Sequence, residues 1–249
     1  MTSIPPIPDF QVFEQETALV GAEELHLWRI RAACRETNGP MATGPELERD
    51  WNVLSEEERA RALRFRNPRH RHGYIRIHAE LRRILGLYLE NSPDTLRFSL
   101  GPNGKPELDA RHCAGDLSVI EFNLTTCGPM ALLAISRELP VGVDCEQMQA
   151  QIDFMSVSRR MFDPKAARTI SEMEEPSRTM EFFRHWTALE AAVKCEGGGL
   201  FNQGAGQPQP LQVLHCIPET GYIAAVARSS LPPVNDWRTF DLGMRWADG

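Results

Sequence analysis

Apolar side chains recur at helical spacing over residues 72–90 and switch to strict alternation at residues 96–100; the same helix-to-strand change is repeated in the second half of the chain. In the first instance Tyr74, Ile77, Leu81, Ile84, Leu85 and Tyr88 make one stripe that ends at an Asn-Ser-Pro turn, and Leu96, Phe98 and Leu100 then alternate with Arg97 and Ser99. A stripe and an alternating face each need an apolar partner. The two periods therefore have to be packed against each other, which defines an α+β fold. Strands are expected at 117–122, 130–136 and 140–146, helices at 152–162 and 177–196, and strands again at 211–217, 222–228 and 237–246. Ahead of the first striped helix, LSEEERARALRF opens with a capping box in which Ser55 and Glu58 satisfy each other's backbone amides. Helices followed by strands, twice over, imply two lobes meeting near residue 140, an N-terminal one over 1–139 and a C-terminal one over 140–249.

With 249 residues, 42% of them hydrophobic, the chain can bury a sizeable core, and no apolar run is long enough to span a bilayer. MTSIPPIPDF lacks the basic start and apolar centre of a secretory signal, so a cytoplasmic location is expected, and its prolines suggest an extended strap. Cys34, Cys113, Cys127, Cys145, Cys195 and Cys216 show no metal-ligand spacing and read as reduced thiols. A net charge of −7 argues against nucleic acid as a partner of the whole molecule. Charge is unevenly spread, however: nine arginines and one acid, Glu80, lie between Arg59 and Arg83. That stretch is either a solvated helix face or a basic surface for a small anion or an acidic protein.

Chemistry-bearing residues are concentrated in two places. In VGVDCE, a strand sends the carboxylates of Asp144 and Glu146 to one face and Cys145 to the other. Two such acids repel unless a cation or proton lies between them, and oxygen ligands of this kind suit Mg²⁺ or Mn²⁺. In WTALEAAVKCEGGGL, Glu190 and Lys194 are one helical turn apart, which permits either an ordinary intrahelical ion pair or an active-site wall. Lys194 is one of three lysines, with Lys105 and Lys165, among 27 basic residues, as if a compact ammonium were needed there. A separate reading makes Cys127 of TTCGPM a nucleophile with His112 or His185 as its base, against the ordinary alternative of a buried thiol.

Taken in order, LSEEERARALRF, LRRILGLYL, GPNGKPEL, FNLTTC, VGVDCE, WTALEAAVKCEGGGL and GYIAAVA resemble the 4′-phosphopantetheinyl transferases, in particular the large monomeric Sfp-type group. The resemblance implies a pseudo-two-fold pair of lobes, each a long helix on a small antiparallel sheet, with the active site between them. It implies Mg²⁺-dependent transfer of the phosphopantetheine arm of coenzyme A to a serine of an acyl or peptidyl carrier protein, in polyketide, nonribosomal peptide or fatty acid biosynthesis. By the same resemblance Asp144, Glu146 and Glu190 hold the metal, Glu190 or a water beside it takes the serine proton, and Lys194 stabilises the departing phosphate. Lys105 contacts the nucleotide, and Arg69, Arg71, Thr125 and Thr126 lie at the coenzyme A phosphates.

Four positions depart from the family pattern. Thr126 replaces a phosphate-binding histidine, Leu189 a lysine, Gly73 an arginine, and Glu58 a residue that is basic in some members. Arg69, Arg71 and Arg76 are close enough in sequence to compensate for Gly73. A charged hydrogen bond contributes about 1.5–3 kcal/mol, so losses of this kind are large enough to alter coenzyme A binding. The alternative is thus a diverged member that acts on another carrier-bound or free intermediate, or only binds a carrier protein.

Overall fold

The computed structural model describes residues 4–13, 18–32, 44–101, 105–109, 119–149, 153–198 and 210–242. Its ten strands are β1 (Gln11–Val12), β2 (His26–Arg31), β3 (Phe98–Leu100), β4 (Pro106–Leu108), β5 (Ile120–Cys127), β6 (Met130–Arg137), β7 (Gly142–Gln147), β8 (Gln212–Cys216), β9 (Tyr222–Arg228) and β10 (Arg238–Asp241). The α-helices are α1 (Pro45–Val53), α2 (Glu56–Arg64), α3 (Pro68–Leu89), α4 (Phe154–Met161), α5 (Pro164–Glu172) and α6 (Ser177–Cys195). None is long and apolar enough, among the described residues, to cross a membrane.

Two sheets are stacked between two long helices. The first has the order β1-β10-β2-β6-β5 and the second β7-β9-β8, while β3 and β4 form a separate hairpin. Helix α3 lays Ile77, Leu81, Ile84, Leu85 and Tyr88 on Trp28, Ile30, Leu133 and Ile135 of the first sheet. The other face of that sheet, with Leu27, Leu132 and Ala134, meets Val143, Cys145, Ala224 and Val226 of the second. Helix α6 then covers the far side, Ala191 and Cys195 packing on Ala225 and Ala227. Strand β9 is buried on both faces, and so its sequence, YIAAVAR, is a continuous small-apolar run without alternation. One polar chain crosses the first core: the Trp28 indole donates to the Tyr88 hydroxyl (2.9 Å), which lies 2.6 Å from Nδ1 of His26. Burial pushes His26 down to about 4, so its ring is neutral and Nδ1 accepts the tyrosine proton.

Several boundaries differ from the sequence expectation for identifiable reasons. Helix α3 begins at Pro68, four residues early, because the Asn67 side chain caps it by accepting from the Arg69 amide (2.9 Å) and proline occupies the first turn. The strand expected at 117–122 is β5, which runs to Cys127 through FNLTTC; residues 117 and 118 lie outside the described residues. Its alternation is hard to read because one face is polar: Phe122 and Leu124 pack toward α3, whereas Asn123 and Thr125 are buried on the other side. Helices α1 and α5 and strand β2 were not anticipated. Strand β10 is shorter than the expected 237–246, and Met244 and Trp246 lie outside the described residues. It pairs parallel to both β1 and β2, so the end of the chain is inserted in the sheet built by its beginning.

Gly142 sets how closely α6 approaches β7, because a Cβ there would collide with the Ala191 carbonyl oxygen and the Cys195 backbone. Gly73 on α3 is different: a Cβ would make ordinary contact, 3.5 Å from Ala32. Gly142→Ala should therefore lower stability by about 1–3 kcal/mol in denaturant titration, whereas Gly73→Ala should be neutral or stabilising by up to about 1 kcal/mol. Equal effects would show that the helix is not held against the strand in this way.

Candidate active site

The candidate site lies where the edge of β5 meets the edge of β7. Residues 142, 144 and 146 of β7 all face α6, as the two-residue period requires. Gly142 admits the helix, Asp144 meets Lys194, and Glu146 accepts from the Trp186 indole N–H (3.3 Å). Lys194 Nζ is 2.6 Å from Asp144 Oδ1 and 3.7 Å from Glu190 Oε2. The intrahelical pair with Glu190 is thus the longer of its two ion pairs, and the ammonium chiefly ties α6 to β7. Thr125 on β5 closes the group, its hydroxyl donating to Asp144 Oδ1 (3.2 Å) and accepting from Lys194 (3.3 Å). The helix ends directly behind Lys194 in paired reverse bonds, Gly198 N to Val193 O (3.0 Å) and Gly197 N to Lys194 O (3.3 Å), with Gly197 in the left-handed region.

The electrostatics of the cluster are those of crowded acids. Burial raises the pKa of Glu146 and Glu190, and the negative charge of Asp144 raises both further. Asp144 is 3% exposed, and its Oδ2 is buried without a hydrogen-bond partner. An orphaned carboxylate oxygen among two further carboxylates with raised pKa values is a donor set that suits a hard divalent cation. No closed ligand cage is preformed: among the described residues no three His, Cys, Asp or Glu side chains are already arranged to hold a metal ion. Lys194 instead bridges Asp144 and Glu190.

The other sequence-expected residues are distributed differently. Lys105 reaches the Val141 carbonyl (3.3 Å), three residues before Asp144, so it stands at the rim; the Gly-Pro-Asn-Gly part of its turn lies largely outside the described residues. Thr126 leaves β5 on the face opposite Thr125 and is exposed. Arg69 and Arg71 are in the first turns of α3; Arg69 is exposed, and Arg71 donates to the Phe65 carbonyl (2.9 Å). Leu189 is half-buried on α6.

The stretch from Arg59 to Arg83 is not one open basic face. Arg82, 1% exposed, is held by Glu58 (2.6 Å) and by the Pro93 and Leu96 carbonyls. Arg83 pairs with Asp50 (2.6 Å) and Glu80 (3.0 Å), and Arg59 donates to the Trp51 and Asn52 carbonyls. Arg76, near the arginine missing at Gly73, pairs with Glu80 (2.9 Å) and Asp50 (3.3 Å). Besides Glu80 on α3 itself, the acids that neutralise the stretch, Asp50 and Glu58, come from α1 and α2. Arg61, Arg64, Arg66 and Arg69 remain exposed. Glu58 serves both the capping box of α2 and the Arg82 pair.

Cys127 lies in the seam between β5 and β7. Its Sγ accepts the Gln147 amide (3.1 Å), and a hydrogen bond from the Cys145 thiol lowers its pKa. His185 pairs with Glu181 (3.4 Å), and His112 lies outside the described residues.

The chain is 31% identical over 219 residues to the 4′-phosphopantetheinyl transferase HetI of Nostoc sp., an alignment that covers 83% of this chain and 88% of HetI. It belongs to the 4′-phosphopantetheinyl transferase superfamily. A model of that superfamily matches residues 140–241, which include β7 and α6. A putative 4′-phosphopantetheinyl transferase of Synechocystis sp. is 31% identical over 187 residues, 74% of each chain. The 4′-phosphopantetheinyl transferase Sfp of Bacillus subtilis is 24% identical over 155 residues, 62% of this chain and 65% of Sfp. The α+β arrangement of two long helices on small sheets is consistent with the 4′-phosphopantetheinyl transferase fold. Sequence reasoning missed Trp186 as the partner of Glu146 and Asn123 as a buried neighbour of β7. The period-two pattern of FNLTTC carried the signal for Asn123, since it places residues 123, 125 and 127 on one face.

A carboxyl whose pKa is raised on folding opposes folding above its folded-state pKa, and the penalty fades as pH falls toward its unfolded value. Glu146→Gln keeps an acceptor for Trp186 and removes the charge. In metal-free buffer it should be more stable than the parent near neutral pH, with the difference vanishing below about pH 4.5. Thermal melting across that range checks this, and a variant less stable than the parent at neutral pH would contradict it.

Proposed function

We propose that the protein transfers the 4′-phosphopantetheine arm of coenzyme A to a serine hydroxyl of an acyl or peptidyl carrier protein, with Mg²⁺ held by Asp144, Glu146 and Glu190. The observation that carries this reading is the buried, unpartnered Oδ2 of Asp144 among acids whose pKa values are raised, with the Lys194 ammonium beside them. When bound, the cation would offset the negative charge that grows on the pyrophosphate oxygens during displacement. The serine oxygen forms the new bond to phosphorus, and the bond to the bridging oxygen of the pyrophosphate breaks, releasing adenosine 3′,5′-bisphosphate. Glu190 is suited to take the serine proton, because burial and Asp144 raise its basicity above that of a surface carboxylate. Lys194 donates to the leaving phosphate oxygen, exchanging one of its present carboxylate partners for it. Thr125 keeps its hydroxyl between Lys194 and Asp144 and so orients both.

The nucleotide end falls to Lys105 at the rim, to Arg69 and Arg71 at the start of α3, and to Thr126 on the α3 face of β5. With Arg76 engaged by Glu80 and Asp50, and with Thr126, Leu189 and Gly73 at positions that are basic in the family pattern, this grip on the phosphates rests on fewer charges than that pattern provides. We place the protein in the cytoplasm as a monomer that serves a polyketide, nonribosomal peptide or fatty acid pathway.

Incubation with coenzyme A, Mg²⁺ and unmodified carrier proteins, followed by intact mass measurement, should show a gain of one phosphopantetheine. Glu190→Ala should lower the rate by roughly 100-fold or more. Leu189→Lys with Thr126→His should tighten coenzyme A binding in calorimetry. If no carrier gains mass and no nucleotide binds, the transfer reading fails and a diverged member of the family takes its place.

A further inference from the structure

Strands β5 and β7 lie side by side but belong to different sheets, and no backbone ladder joins them. Strand β7 is paired to β9 along one edge only, which leaves the N–H groups of its odd-numbered residues directed at β5. Side chains of β5 take the place of a ladder. The Asn123 side-chain carbonyl accepts the Val143 amide (2.9 Å), and the Cys127 sulfur accepts the Gln147 amide (3.1 Å). Asn123 is 5% exposed, so the bond to Val143 is shielded from water. Thr125, halfway between them, reaches the Asp144 carboxylate (3.2 Å). Val143 immediately precedes Asp144, and Gln147 immediately follows Glu146. The two amide clamps therefore bracket the acidic pair, one on each side.

We infer that Asn123 and Cys127 are positioning residues: by gripping the β7 backbone at Val143 and Gln147 they fix the stretch that presents Asp144 and Glu146 to a divalent cation. The role rests on the functional reading above, while the clamps can be measured without it. Neither residue touches a reacting group. Their effect passes through the backbone, whose ladder hydrogen bonds otherwise run along the β9 edge of β7 alone. The sulfur at position 127 is an acceptor in this arrangement, and that gives the thiol a use other than nucleophilic attack.

The test compares Cys127→Ala, Cys127→Ser and Asn123→Leu with the parent protein, using Cys216→Ala as a control for loss of a buried thiol from the same core but off the seam. Amide hydrogen exchange should show Gln147 exchanging faster in Cys127→Ala and Val143 faster in Asn123→Leu, with β9 unchanged. Mn²⁺ binding, followed by electron paramagnetic resonance without coenzyme A or carrier, should weaken roughly tenfold in Cys127→Ala and recover in Cys127→Ser, which restores an acceptor. Cys216→Ala should bind Mn²⁺ as the parent does. Should Asn123→Leu fail to fold, the Cys127 pair alone decides. Cys127→Ala that binds Mn²⁺ like the parent, with no faster exchange at Gln147, overturns the inference. A parent protein that binds no Mn²⁺, while Cys127→Ala still exchanges faster at Gln147, overturns the metal reading and the positioning role together but leaves the clamp as a structural bond.

Discussion

An ammonium held 2.6 Å from a buried carboxylate organises this molecule. Lys194 belongs to α6 and Asp144 to β7, so their ion pair fixes the helix against the strand at the point where the two acidic stretches must meet. Such a pair is not automatically stabilising, since burying the Asp144 carboxylate offsets part of its attraction to the half-buried ammonium. Its value lies in placement. Gly142 permits the close approach, Thr125 supplies a further hydrogen bond, and the glycine-terminated end of α6 turns the chain away without disturbing the lysine.

The arginine-rich stretch shows how local charge misleads when partners are distant in sequence. Glu58 and Asp50 lie on short helices that fold back over α3, and they consume Arg76, Arg82 and Arg83 in pairs that hold α1 and α2 in place. The charges are therefore architectural over much of the stretch. The four exposed arginines are confined to α2, the link to α3 and the first turn of α3, a smaller basic surface than the sequence suggests.

The sequence made legible those features that depend on local period. The stripe of α3, the alternation of Leu96, Phe98 and Leu100 leading into β3, the capping box of α2 and the shared face of Asp144 and Glu146 are short-range patterns, and they were readable. What escaped was decided by tertiary context. Strand β2 contains His26, Arg29 and Arg31, and its histidine is buried only because Tyr88 meets it from a helix about sixty residues away. Strand β5 hides its period because Asn123 and Thr125 are buried polar groups whose partners are on β7. The position of Lys194 relative to Asp144, as opposed to Glu190, could not be read from spacing, which favours the neighbour one turn away.

The insertion of β10 between β1 and β2 bears on how the molecule is assembled during synthesis. A ribosome that has made β2, β5 and β6 has produced most of the first sheet, yet the slot beside β2 stays open until about one hundred further residues have emerged. In that interval β2 presents an unfilled hydrogen-bonding edge, the kind of surface on which nascent chains associate wrongly. Closure of the first sheet thus waits for β10, the last of its strands to be made.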